Sequence, residues 1–148
     1  MSRNPTTIIR TAATVALGLG LALAAGPPAS GAPNSVPLNV GQETTGSDTG
    51  ASGSFTYTID GGTFCFTLTA RNLSADATAA HIHVGDRHVA GPVVVPLDVG
   101  EGTSFSVTDC VTADAALLAA IQDTPRDYYV NVHTPTFPGG EIRGQLTH

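Results

Sequence analysis

Apolar and polar residues alternate with a period of two along most of the chain after residue 35, which is the signature of half-buried strands. Val36, Leu38 and Val40 open the pattern, and a polar stretch of Gly, Ser, Thr and Asp from Gly41 to Gly53 reads as a loop. Phe55, Tyr57 and Ile59 then line one side of a strand, and Phe64, Phe66 and Leu68 line its partner. Between them Asp60-Gly61-Gly62 tolerates the positive φ of a tight hairpin turn. Further strands are predicted over Ala79 to Val84, at Val93-Val94-Val95 ending at or just past Pro96, and through Phe105 and Val107 to Cys110. Two more run from Tyr128 to Thr134 and from Ile142 to Leu146.

One stretch breaks the alternation. From Thr112 to Gln122, Leu117, Leu118 and Ile121 recur at helical spacing, with Thr112 as the expected cap, Asp114 in the first turn and Pro125 beyond the end. About seven to nine short strands with one short helix predict an all-β fold, an antiparallel sandwich or barrel-like domain.

The first 31 residues follow different rules. Arg3 and Arg10 precede an apolar run from Thr11 to Ala25, and small residues crowd Ala24 to Ala32. This is the layout of a cleaved export signal, with an uncleaved membrane anchor as the alternative reading. The run is short for a span, which needs about 20 apolar residues. Residues 32–35 read as a flexible leader and 36–148 as one domain, secreted to the extracellular side.

Removing the signal changes the charge. Of the 6 basic residues Arg3 and Arg10 leave with it, while all 12 acidic residues stay. A mature net charge of about −8 repels phosphate backbones and argues against nucleic-acid binding. No apolar segment after Ala25 is long enough to engage a membrane as a span. An oxidising exterior favours a Cys65–Cys110 disulfide; two free thiols or a copper thiolate are the rival reading. The bridge would close a loop of about 46 residues, worth roughly 4 kcal/mol as loop entropy.

Candidate chemistry centres on His81-Ile82-His83. Residues i and i+2 of a strand share a face about 6.5–7 Å apart, so two imidazoles there can converge on one copper or zinc ion. In Tyr129 to His133, Val130 and Val132 take one face, and Tyr129, Asn131 and His133 the other. If the two strands are neighbours, His133 supplies a third ligand. The competing reading is a structural hydrogen-bond network served by Asp86, Arg87 or Thr134. His88, in a loop, and His148, at the last position, are weaker candidates, and Asp86 could orient a ligand. Glu141 and Arg143, two apart, read as a surface ion pair. No G-x-S-x-G elbow, P-loop or G-x-G-x-x-G occurs, and no carboxylate pair resembles a general acid and base, so a nucleophilic hydrolase is unsupported.

Three blocks in order carry a family resemblance. Ala80-His81-Ile82-His83-Val84-Gly85 with Gly91-Pro92-Val93-Val94-Val95-Pro96-Leu97 resembles the centre of CHRD (chordin) domains. Tyr128 to Thr134 with Pro138 to Leu146 resembles their C-terminal signature, and Gly41-Gln42-Glu43 their start. Cys65 and Cys110 sit where many bacterial members carry a cysteine pair. The resemblance implies a secreted domain with His81, His83, Gly85, Asn131, His133, Arg143 and Gly144 as motif positions. Chordin itself is an extracellular antagonist of bone morphogenetic proteins, and that role is not implied here. The segment Gly85 to Ala90 departs from the Gly-rich turn of many members. His81-Ile82-His83 with Gly85-Asp86 is also similar to copper-zinc superoxide dismutases, although their bridging histidine and zinc-site residues cannot be placed in this chain.

The sequence therefore predicts an extracellular binding module, with copper or zinc on the histidines and an extracellular protein or polysaccharide as partner. A small metal-dependent redox enzyme and a purely structural secreted domain are the alternatives.

Overall fold

The computed structural model describes Met1 and residues 35–148; the expected export signal, and residues 32–34 of the expected leader, lie outside the described residues. Eight strands form one sheet in which every neighbouring pair is antiparallel. In chain order they are β1 (Ser35–Asn39), β2 (Ser52–Asp60), β3 (Thr63–Arg71), β4 (Ala79–Val84), β5 (Val93–Leu97), β6 (Phe105–Thr112), β7 (Tyr128–His133) and β8 (Ile142–Gln145). The order across the sheet is β5-β4-β7-β8-β1-β2-β3-β6, so the sheet is nearly closed and barrel-like rather than two separate layers. Among the described residues there is one α-helix, α1 (Ala115–Asp123), and no helix is long and apolar enough to cross a membrane.

The period-two pattern sets which side faces in. Val36, Leu38, Phe55, Phe64, Phe66, Leu68, Ile82, Val95, Val130, Val132 and Ile142 are buried in one continuous core. Leu118 and Ile121 of α1 join it, and Leu117 is only partly buried. The β2–β3 hairpin closes as its sequence requires. Asp60 pairs with Thr63, leaving a two-residue turn in which Gly61 has φ +56. Pro96 is tolerated within β5 because β5 is an edge strand, where a missing donor need not face a neighbour.

The helix begins later than its sequence suggests. Thr112 is still in β6, paired with Thr63 of β3, so it cannot cap a helix. Asp114 takes that role instead; its Oδ1 accepts from the Leu117 N–H at 3.0 Å. Cys65 and Cys110 face each other across β3 and β6 and form the disulfide on the outward side of the sheet.

Candidate metal centre

Strands β4 and β7 lie side by side, with Ala79 opposite His133, His81 opposite Asn131, and His83 opposite Tyr129. Ala80, Ile82, Val130 and Val132 face the core, so by alternation the histidines, Tyr129 and Asn131 share the other face. That face is covered too: every residue of β7 is buried. The result is a polar layer enclosed behind the hydrophobic one.

His81, His83 and His133 come together there, with one ring nitrogen of each within 4.8 Å of the others. The tautomers follow from the hydrogen-bond partners. A carbonyl oxygen only accepts, so His83 donates Nδ1–H to the Gly91 carbonyl at 2.8 Å and His133 donates Nδ1–H to the Pro138 carbonyl at 2.9 Å. Both Nε2 lone pairs are thereby left facing away from those anchors. His81 Nδ1 lies 3.0 Å from Nε2 of His133, while His83 Nε2 is buried with no partner. The polar partners expected from the sequence, Asp86, Arg87 and Thr134, are not the ones used; two backbone carbonyls are.

Charge agrees with this picture. Burial lowers the pKa of His81 to about 4, with His133 and His83 adding to the effect. Burial also lowers His83 and His133, against the raising effect of their carbonyl partners. The three imidazoles are therefore neutral around pH 7, the form that binds copper or zinc.

Around the trio, the Tyr129 ring stacks on His83, with centroids 4.8 Å apart and planes within 7°. The Arg143 guanidinium lies 3.2 Å from the centre of the Tyr129 ring, a cation–π contact. Arg143 also donates to the carbonyls of Val89 at 2.9 Å and Asp86 at 2.7 Å. Gln145 donates to the Gly85 carbonyl at 2.8 Å, and the Tyr129 hydroxyl accepts from Gly91 N–H at 3.1 Å. The 85–91 loop is thus fastened to β7 and β8, and with it the Gly91 carbonyl that orients His83.

Glu141 and Arg143 are not a surface ion pair. They are 0% and 1% exposed, and each has its own partners. The Glu141 carboxylate accepts from the Thr49 hydroxyl, the Thr134 hydroxyl, and both the N–H and hydroxyl of Ser74, at 2.7–2.8 Å. Burial alone would raise its pKa; these four bonds outweigh it and bring the carboxyl below its usual value. Gly144 is pressed against Val36 and the Pro37 carbonyl, where a side chain would not fit. His88 is exposed with φ +62, and His148 is exposed beside Tyr57 and Gln122; neither joins the cluster. Asp86 contributes its backbone carbonyl rather than its carboxylate.

Three participants had little or no signal in the sequence. Glu43 is nine-tenths buried against Asn131, and burial raises its pKa despite Thr44, Arg143 and Asn131, which lower it. Its only sequence signal is its place in the Gly41-Gln42-Glu43 block. The carbonyls of Gly91 and Pro138 had no signal, because every residue carries one.

The molecule is thus a small antiparallel β-barrel-like domain with three histidines gathered on the outer face of its sheet. The chain belongs to the CHRD domain family, whose model matches residues 35–146. No curated protein and no solved structure matches it.

Proposed function

We propose that this CHRD domain is an exported binding module that holds one copper or zinc ion between His81, His83 and His133. The observation that carries the reading is the Nε2 atom of His83, buried and without a partner beside two other imidazoles. A buried acceptor left unpaired is costly, and a cation satisfies it. Backbone carbonyls on Nδ1 of His83 and His133 are the arrangement that fixes ligand tautomers and ring directions. A donor set of neutral nitrogens suits copper and zinc over calcium or magnesium, which prefer oxygen. Export is supported by Arg3, Arg10 and the apolar run behind them, and is in keeping with the Cys65–Cys110 disulfide.

A redox activity is the second reading, favoured by one observation. His81 is only partly buried, so an ion at the cluster would have a side open to small molecules.

The test is calorimetric titration of Cu²⁺ and Zn²⁺ into the signal-free, disulfide-intact protein, beside the His81→Ala/His83→Ala variant. Stoichiometric binding that the variant abolishes while staying folded supports the site and warrants assays for redox turnover. Absence of binding at micromolar metal overturns it and leaves the histidines a structural network.

A further inference from the structure

Four of the polar atoms buried without a partner lie on residues of one neighbourhood: Glu43 Oε1, His83 Nε2, Asn131 Oδ1 and Arg143 Nε. Asn131 is at its centre. It is 1% exposed, pairs across the sheet with His81, and lies two residues before His133 on the same face. Its side chain reaches both His83 and Glu43.

The orientation of the amide follows from its neighbours. Asn131 Nδ2 and Glu43 Oε1 crowd the same spot: a Cβ on Gly140 would come within 2.7 Å of the first and 2.3 Å of the second. Gly140, with φ +124, leaves room for both. The amide NH₂ is a donor and the carboxylate an acceptor, so Nδ2 belongs on the Glu43 side. Oδ1 then turns toward the histidines. There it meets His83 Nε2, itself an acceptor because its Nδ1–H is engaged by Gly91. Two buried lone pairs face one region and neither can donate to the other. A shared cation resolves both at once.

We infer that Asn131 Oδ1 is a fourth ligand, making the centre a three-nitrogen, one-oxygen site for a divalent ion, with the Glu43 carboxylate beside the amide NH₂. The inference rests on the three-histidine reading and adds to it. A fourth protein donor from beneath accounts for a buried amide at the middle of a metal-ligand face, and it favours Zn²⁺ or Cu²⁺ over Cu⁺, which is content with nitrogen or sulfur donors alone.

The test compares wild type, Asn131→Leu and Asn131→Asp by Zn²⁺ and Cu²⁺ titration and by electron paramagnetic resonance of the Cu²⁺ form. Asn131→Leu keeps the volume and removes the oxygen; it should weaken Zn²⁺ binding about tenfold or more and shift the copper hyperfine pattern. Asn131→Asp keeps the shape and strengthens the oxygen donor; it should alter the spectrum and tighten Zn²⁺ binding by a similar factor. It carries the test alone if the leucine variant does not fold. Affinity within about twofold of wild type and an unchanged spectrum in the folded variants would overturn the fourth ligand. If His81→Ala/His83→Ala abolishes binding in the same series, the three-histidine site survives that result; if wild type binds neither ion, both readings fall.

Discussion

The β3–β6 pair and the β4–β7 pair are built on the same alternation but use their second face in opposite ways. Across β3 and β6 the outward side chains are Thr67 with Thr108, Thr69 with Ser106, and the disulfide, all meeting solvent or each other. The hydroxyl pairs lie 2.9 and 3.1 Å apart and leave nothing buried and unmatched. Across β4 and β7 the outward side chains are histidines, Tyr129 and Asn131, and all but the partly buried His81 are covered. Covering them leaves acceptors without donors. The strand pattern assigns a residue to a face, while distant loops decide whether that face is wet.

If that contrast is right, the largest effect on stability comes from the covered half. Glu141→Ala leaves the Ser74 N–H and the Thr49, Thr134 and Ser74 hydroxyls without their acceptor. A loss of about 4 kcal/mol is expected in urea unfolding. A smaller loss should follow on the open half from Cys65→Ala/Cys110→Ala. The bridge spans 45 positions and acts on the unfolded chain, so about 3 kcal/mol is expected.

Acid should separate the halves next. The folded state holds His81 near pKa 4, whereas the unfolded chain titrates near 6.5. Between those values the unfolded chain binds more protons, so stability falls as pH drops from about 6.5 to about 4 and then levels off for this group. Glu141 acts lower down: its depressed carboxyl stabilises the fold above 4.5 and that contribution is lost as pH falls through its folded value. Urea midpoints against pH for wild type and His81→Gln would show the upper part of the decline reduced in the variant; identical curves would contradict the assignment. The smallest effect belongs to the open ladder. Thr67→Val with Thr108→Val exchanges an exposed hydroxyl pair for two good strand formers, so stability should move by no more than about 0.5 kcal/mol. A larger loss would mean that this face is less solvated than described.

The sequence made the inward face legible because apolar residues must recur every second position, and Val130 and Val132 therefore assigned Asn131 and His133 to the opposite side. The β2–β3 turn was legible for a local reason too, since Gly61 needs positive φ. What local pattern could not reveal was cover. Glu141 and Arg143 look like a solvated pair two residues apart. Their burial depends on Thr49 and Ser74, 92 and 67 positions from Glu141, and on the 85–91 loop. The helix start was missed by three residues because β6 keeps pairing through Thr112, a tertiary preference that outweighs capping propensity. The trio of histidines was legible only as a condition, since neighbouring strands are a matter of topology.

That topology also imposes a chronology. The first strand of the sheet lies between the second and the last, and His81 waits for a partner 52 residues later. A chain emerging from its N-terminus can form the β2–β3 hairpin early, but β1 has no second neighbour until β8 arrives. The Pro138 carbonyl and the Gly140 gap beside Glu43 come almost as late. The three histidines therefore meet late: they come together only when β7 pairs with β4, and the Pro138 carbonyl that anchors His133 follows after that.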